Sequence, residues 1–93
     1  MTRYFFNLRS GYDYLADDEG AECPTLQVAG VRAAAGARAL LNEVRALQRA
    51  AQTTAFEITD AQGRMRLRVP FTVAQRGQTS AVGNEFHPAP GLP

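Results

Sequence analysis

The chain has no lysine and no tryptophan, a single cysteine, a single histidine and no long apolar run. One cysteine excludes an internal disulfide and a cysteine-based metal centre, and it fits a reducing compartment. Every apolar stretch is far shorter than the roughly 20 residues of a membrane-spanning helix. The N-terminus also lacks the apolar core of a signal peptide, so we expect a cytoplasmic protein with no membrane association.

The charge of the chain is almost balanced. Ten arginines and nine acidic residues give a formal net charge of +1, which predicts no general affinity for nucleic acid. The acidic residues concentrate near the start of the chain, at Asp13, Asp17, Asp18, Glu19 and Glu22. Their spacing does not match the twelve-residue calcium-binding loop, so we predict no bound metal and no cofactor.

The strongest pattern in the chain runs from Thr25 to about Ala51. Apolar residues recur there every three or four positions, which is the period of an α-helix. Thr25, directly after Pro24, is expected to cap the N-terminus with its hydroxyl group. The apolar stripe comprises Leu26, Ala29, Ala33, Ala37, Leu40, Leu41, Val44, Leu47 and Ala51. The pattern predicts one long amphipathic helix that packs against a sheet.

Two hairpins flank this helix. The four predicted strands are residues 3–9, 12–16, 55–59 and 64–71. Ser10-Gly11 supplies the first turn, and Gly63 ends the second. A right-handed crossover through the helix gives the strand order 2-1-3-4, with all neighbours antiparallel. The predicted fold is therefore α+β, with ββαββ order, a four-stranded antiparallel sheet and one long helix packed on one face.

Alternation assigns side chains to the two faces of the sheet. The side chains of Tyr4, Phe6 and Leu8 share one face, because alternate residues of a strand point the same way. In the last strand, Met65, Leu67, Val69 and Phe71 alternate with three arginines, which is typical of a strand with one face on the core. Pro70 cannot donate a backbone hydrogen bond, so this strand is expected at an edge of the sheet.

The C-terminal part of the sequence has a different composition. Residues 1–73 form a single predicted domain, whereas residues 74–93 contain prolines, glycines and few apolar side chains and are expected to be disordered or loosely packed. His87, the only histidine, lies in this tail, where no scaffold holds it as a base beside a nucleophile. We therefore predict that the protein is not an enzyme.

Several of these motifs together resemble a known family. The residues concerned are Arg3-Tyr4-Phe5-Phe6-Asn7-Leu8-Arg9, the turn Asp18-Glu19-Gly20, the alanine- and arginine-rich helix, and Asp60-x-x-Gly63-Arg64 to Val69-Pro70-Phe71. They resemble a family of short bacterial proteins that is classed only as a domain of unknown function, over about residues 3–71. A histidine is common in that family where this chain has Asn7, so no role of that histidine is transferred. The resemblance implies a bacterial setting and no activity.

The sheet face opposite the helix is the candidate interaction surface. Its residues are Phe5, Asn7, Arg9, Arg64, Arg66 and Arg68. An exposed aromatic residue on such a face suits a self-complementary patch in a two-fold dimer, and the short second strand offers an edge for pairing with a symmetry mate. We therefore predict a protein-interaction module that acts as a homodimer or as an adaptor for a small protein partner.

The arginines support an alternative function. Arg64, Arg66 and Arg68 form a ladder beside Phe5, and arginines next to an aromatic side chain on a sheet clamp single-stranded RNA in some modules. The alternative is a nucleic-acid or phosphate-binding module. A purely structural interpretation also stands, in which Glu57 and Asp60 pair with these arginines and the edge charges discourage aggregation.

Overall fold

The computed structural model of the protein describes residues 1–75, which form five strands and three helices. The elements are β1 Thr2–Ser10, β2 Asp13–Leu15, β3 Ala21–Cys23, α1 Leu26–Glu43, α2 Ala46–Arg49, β4 Thr54–Thr59, β5 Met65–Pro70 and α3 Phe71–Gln75, with a 3₁₀ turn at Ala51–Thr53 before β4. No helix in this part of the chain has the length and apolarity needed to cross a membrane.

The sheet is antiparallel throughout and is organised around β1. Its main path is β2-β1-β4-β5, and β3 pairs with β1 in addition. The α+β class and the antiparallel sheet are therefore confirmed. The four-strand count is wrong and the order 2-1-3-4 differs in detail, because Ala21–Cys23 adds a fifth strand against Thr2–Tyr4. Three residues carry no alternation of their own, so this strand depends on its pairing with β1.

The main helix begins as the sequence predicts and ends earlier. The Thr25 hydroxyl accepts a hydrogen bond from the Val28 N–H at 3.1 Å, which confirms the predicted cap. The prediction that the helix continues to about Ala51 is wrong, because Val44 is extended at φ −120° and is 43% exposed. The Gln48 side chain then donates to the carbonyl of Leu41 at 3.2 Å, which satisfies one of the orphan acceptors at the helix end.

The core is formed by small side chains of α1 against larger side chains of the sheet and of α3. Ala29, Ala33, Ala34 and Ala37 of α1 are buried. The largest fully buried apolar side chains are Ile58 and Val69 in the sheet and Phe71 and Val73 in α3. Because alanine adds little volume, the helix can lie close to β4 and β5, and the sheet and α3 supply the bulky side chains of the core.

The chain leaves β5 directly into a short helix. Phe71, predicted as the last residue of the strand, is the first residue of α3, and its ring lies 5.3 Å from that of Phe56 between centroids. Pro70 ends β5, which pairs only with β4 and is an edge strand as predicted. The boundary predicted at residue 73 falls within α3, where Ala74 is buried, and residues 76–93 of the predicted tail lie outside the described residues.

Gly20 joins the loop after β2 to β3 and has a positive φ of 71°. A Cβ atom at this position would lie 2.8 Å from the carbonyl oxygen of Tyr4 and 3.0 Å from the ring of Phe5. Gly11, in the turn between β1 and β2, has a similar φ of 61° but nothing within 4 Å of a Cβ atom. Both glycines therefore have a positive φ, but only Gly20 lacks space for a Cβ atom.

We predict that Gly20→Ala destabilises the fold more than Gly11→Ala does. Both variants incur the left-handed backbone penalty of about 1–2 kcal/mol for a residue with a side chain, but only Gly20→Ala adds a clash with a backbone oxygen. Urea unfolding monitored by circular dichroism gives both free energies of unfolding. Equal losses in the two variants would show that the approach of Gly20 to Tyr4 contributes nothing.

Candidate interaction surface

The sheet face opposite α1 contains a buried polar pair. Asn7 on β1 and Glu57 on β4 are cross-strand neighbours, and both are buried. The Asn7 side-chain amide donates to the Glu57 carbonyl at 2.9 Å and to the Thr59 hydroxyl at 3.2 Å. The Glu57 carboxylate in turn accepts from Arg9 Nε at 2.8 Å. These contacts hold β1 and β4 in register through side chains as well as through the backbone ladder.

The loop between β2 and β3 folds onto this pair through Asp17. Its carboxylate accepts the backbone N–H groups of Phe6, Glu19 and Gly20 at 3.0–3.2 Å. Its own backbone N–H donates to Asn7 Oδ1 at 2.9 Å. Burial raises the pKa of the Asp17 carboxyl, but the three N–H donors outweigh burial, so this pKa lies below the ordinary value. The ionised Asp17 carboxylate therefore holds the loop between β2 and β3 against β1.

A second polar cluster lies at the turn between β4 and β5. Asp60 Oδ1 accepts the backbone N–H groups of Gln62 and Arg64 at 3.0 Å each. Its Oδ2 lies 3.1 Å from Arg64 Nε and 3.5 Å from Arg66 Nη1. Burial raises the pKa of Asp60, but the N–H donors and the Arg64 guanidinium outweigh it and hold the pKa below the ordinary value. The turn is thus fixed by one carboxylate.

The predicted surface divides between these two clusters. Asn7 and Arg9 join Glu57, whereas Arg64 and Arg66 converge on Asp60. The Arg68 side chain makes no hydrogen bond or ion pair with residues 1–75. Phe5 is half-buried, and its ring lies beside Gly20. The two carboxylates of Glu57 and Asp60 offset only part of the charge of the four arginines on this face, and nucleic-acid or phosphate binding stays a prediction.

The largest exposed apolar side chains adjoin the first turn and β2. Tyr12 is fully exposed, Leu15 is 69% exposed and Tyr14 is 47% exposed. Arg9 lies over the Tyr14 ring, with its guanidinium carbon 4.6 Å from the centroid. Leu15, Leu8 and Asp13 line an open hollow of about 300 Å³. Within residues 1–75 the outer edge of β2 has no paired strand, so its backbone groups are free to pair.

A family model described as "Domain of unknown function (DUF6894)" matches residues 3–72. The chain belongs to this family. No curated protein and no solved structure matches the chain. The matched residues of the DUF6894 domain comprise all five strands, α1 and both polar clusters.

Beside the β2 hollow, the DUF6894 domain has a second apolar hollow under α1. It measures about 290 Å³ and is lined by Phe6, Ala21, Arg32, Ala33, Gly36 and Phe56. Phe6 and Leu8 are alternate residues of β1, so the two hollows lie on the same face of that strand. The helix therefore covers β4 and β5 more completely than it covers the apolar side of β1 and β2.

The described part of the DUF6894 domain contains no group of three or more potential metal ligands. Two of the five acidic residues near the start of the chain serve other contacts, because Asp17 binds backbone N–H groups and Glu22 pairs with Arg3 at 3.1 Å. Cys23 is fully buried, and Arg32 Nη1 lies 3.4 Å from its sulfur. His87 lies outside the described residues.

Sequence reasoning placed Asn7 and Arg9 on one face but missed the role of Asp17. The only signal was an acidic residue after a short strand and three positions before Gly20, which fits an Asx-type loop. It also underestimated β2, because the exposure of Leu15, which lies on the same face of the sheet as α1, depends on where the helix lies. The position of a helix across a sheet is a tertiary property that alternation does not encode.

We predict that Asn7→Asp lowers the free energy of unfolding by about 1–3 kcal/mol, because a buried carboxylate cannot donate the hydrogen bonds that the Asn7 amide gives to the Glu57 carbonyl and the Thr59 hydroxyl. Asn42→Asp is the matched control, since Asn42 is exposed on α1. We expect it to cost less than about 1 kcal/mol, which allows for its place near a helix C-terminus. Urea unfolding at neutral pH measures both. Similar losses in the two variants would contradict a structural role for the Asn7 amide.

We predict that Asp17→Asn flattens the acid side of the stability curve. The folded-state pKa of Asp17 lies below its ordinary value of 3.8, so the folded protein binds fewer protons than the unfolded chain. This contribution is complete above the ordinary pKa and is lost as the pH falls through the folded-state pKa. Asp17→Asn should therefore be less stable than wild type at neutral pH, with a difference that shrinks in acid.

Asp18→Asn is the control for this experiment, because Asp18 is exposed and its carboxylate has no partner among residues 1–75. Unfolding free energies of the three proteins are measured from neutral pH into the acid range. A difference between wild type and Asp17→Asn that stays constant with pH would show that the charge of Asp17 is not what holds the loop.

Proposed function

We propose that this DUF6894 domain is a non-enzymatic protein-interaction module that acts as a homodimer or as an adaptor, and that β2 is its contact edge. The supporting observation is the combination of a free strand edge with large apolar side chains. Leu15 and Tyr14 line an open hollow. Leu15 is exposed, whereas Leu8, which lies directly opposite Leu15 on β1, is half-buried. Soluble monomers usually protect an edge strand with charge, proline or a covering element, and exposed apolar edges mark interaction sites.

The polar clusters of the opposite face support the non-enzymatic part of the proposal. Glu57 pairs with Arg9, and Asp17 accepts three backbone N–H groups. Asp60 accepts two backbone N–H groups and contacts two arginines. A general base faces its substrate, whereas these carboxylates are engaged in contacts that fix β1 and two turns, so the fold accounts for their positions.

We predict that a photo-crosslinking residue on β2 captures a protein. Tyr14→p-benzoylphenylalanine is produced in the full chain and irradiated in extract of the source cells. Val31→p-benzoylphenylalanine is the control, because Val31 is 43% exposed on the flank of α1 away from Arg32 and Gly36. We expect an adduct from position 14, either a doubled chain or a chain plus partner, and little from position 31.

A parallel measurement addresses self-association. Sedimentation of the wild-type chain and of Leu15→Arg gives their masses at high concentration, and a homodimer through β2 should dissociate in the variant. The absence of any adduct at position 14 above the level of position 31, together with a monomeric wild-type chain, would contradict the proposed function.

A further inference from the structure

We infer that the β2 edge binds an extended segment of another protein in which an apolar residue is flanked two positions away on each side by basic residues. This inference rests on the proposed function and specifies the partner of the same edge. The pattern reads basic–any–apolar–any–basic. Because it is symmetric about its centre, it applies whether the segment pairs parallel or antiparallel to β2.

The apolar position follows from a row of side chains that crosses the sheet. Val69, Phe56, Leu8 and Leu15 are successive cross-strand neighbours on β5, β4, β1 and β2. Burial declines along this row, from 0% exposure at Val69 to 69% at Leu15. A strand added to β2 places its own side chain next to Leu15 on this face, above the hollow of about 300 Å³. An apolar side chain there continues the row and covers Leu15.

The basic positions follow from unpaired charge at the same edge. Asp13 lies two residues before Leu15 and therefore on the same face of β2. It is exposed and makes no ion pair with any residue from 1 to 75, and the same holds for Asp18 and Glu19 beyond the other end of the strand. A residue of the added segment beside Asp13 therefore faces an unpaired carboxylate, and the exposed carboxylates of Asp18 and Glu19 make the other end of the edge negative as well, which basic side chains complement.

The same geometry disfavours a second copy of this chain on the edge. Two-fold pairing of β2 with itself keeps each side chain on its own face, so the axis passes beside Asp13, Tyr14 or Leu15. With the axis at Tyr14, Leu15 lies opposite Asp13 of the second copy, which places a carboxylate against the apolar row. With the axis at Asp13, the two Asp13 side chains lie opposite each other, and with the axis at Leu15, Asp13 lies opposite Asp17 of the second copy. Both of these arrangements oppose like charges.

The test is an NMR titration of the ¹⁵N-labelled full chain with three synthetic peptides. The probe is Thr-Arg-Thr-Val-Thr-Arg-Thr, and the controls are Thr-Glu-Thr-Val-Thr-Glu-Thr and Thr-Arg-Thr-Ser-Thr-Arg-Thr. We expect chemical-shift changes centred on residues 8–19 with the probe. Two reversed charges or one lost apolar contact should weaken binding about tenfold, the factor that corresponds to 1.4 kcal/mol. Binding of the probe should also weaken as salt is added.

A charge reversal on the protein provides the complementary measurement. Asp13→Lys changes an exposed side chain, so the fold should persist, and it should reduce the preference for the basic over the acidic peptide. Val31→Lys is the control for a lysine introduced elsewhere on the surface and should leave the preference intact. Equal affinity for basic and acidic peptides, or shifts away from the β2 edge, would overturn the inference.

The outcome also separates this inference from the proposed function. A chain that sediments as a dimer through Leu15 and is not displaced by the probe peptide would assign the edge to a second copy. That result would overturn the inference about the partner and leave the interaction module standing. Failure of both the titration and the crosslinking at position 14 would remove the proposed function as well.

Discussion

Close packing between the alanine face of α1 and the apolar face of β4 and β5 is the contact on which the rest of this fold depends. Ala29, Ala33 and Ala37 allow the helix to lie near the sheet, where Ile58 and Val69 are fully buried. The helix is centred over these two strands, so it covers less of β1 and leaves β2 open. The apolar side chains of Phe6, Leu8 and Leu15 therefore become less buried toward one edge, and the surface that we consider functional is a consequence of how the core is packed.

Features that depend on neighbours in sequence could be predicted from the sequence. Thr25 caps α1 through a residue three positions away, and Gly63 closes its turn with a bond to Asp60 at 3.0 Å. Features that depend on distant partners could not. The helix stops before Val44 although the apolar repeat continues, and β3 exists because β1 lies beside it. Propensity and period are local signals, whereas these two features are decided by tertiary contacts.

The candidate surface shows the same division. Alternation placed Asn7 and Arg9 on the face opposite the helix, and Glu57 and Asp60 were available in sequence as acidic partners. Which arginine meets which carboxylate depends on the register between strands and on the shift after Ile58, which directs both Arg64 and Arg66 to Asp60. The arginine ladder is therefore more neutral than its sequence implies, and the apolar strand beside Arg9 becomes the more distinctive surface.

The two borders of the sheet are unequal. At β5, Pro70 removes a backbone donor, and Arg66 and Arg68 carry charge. Both features disfavour the pairing of a further strand with this edge. At β2, three residues offer room for only a short addition. A sheet that accepts a neighbour at one border alone cannot propagate. Under the proposed function, a single added segment would therefore complete the sheet, and the protected β5 border disfavours fibrillar assembly.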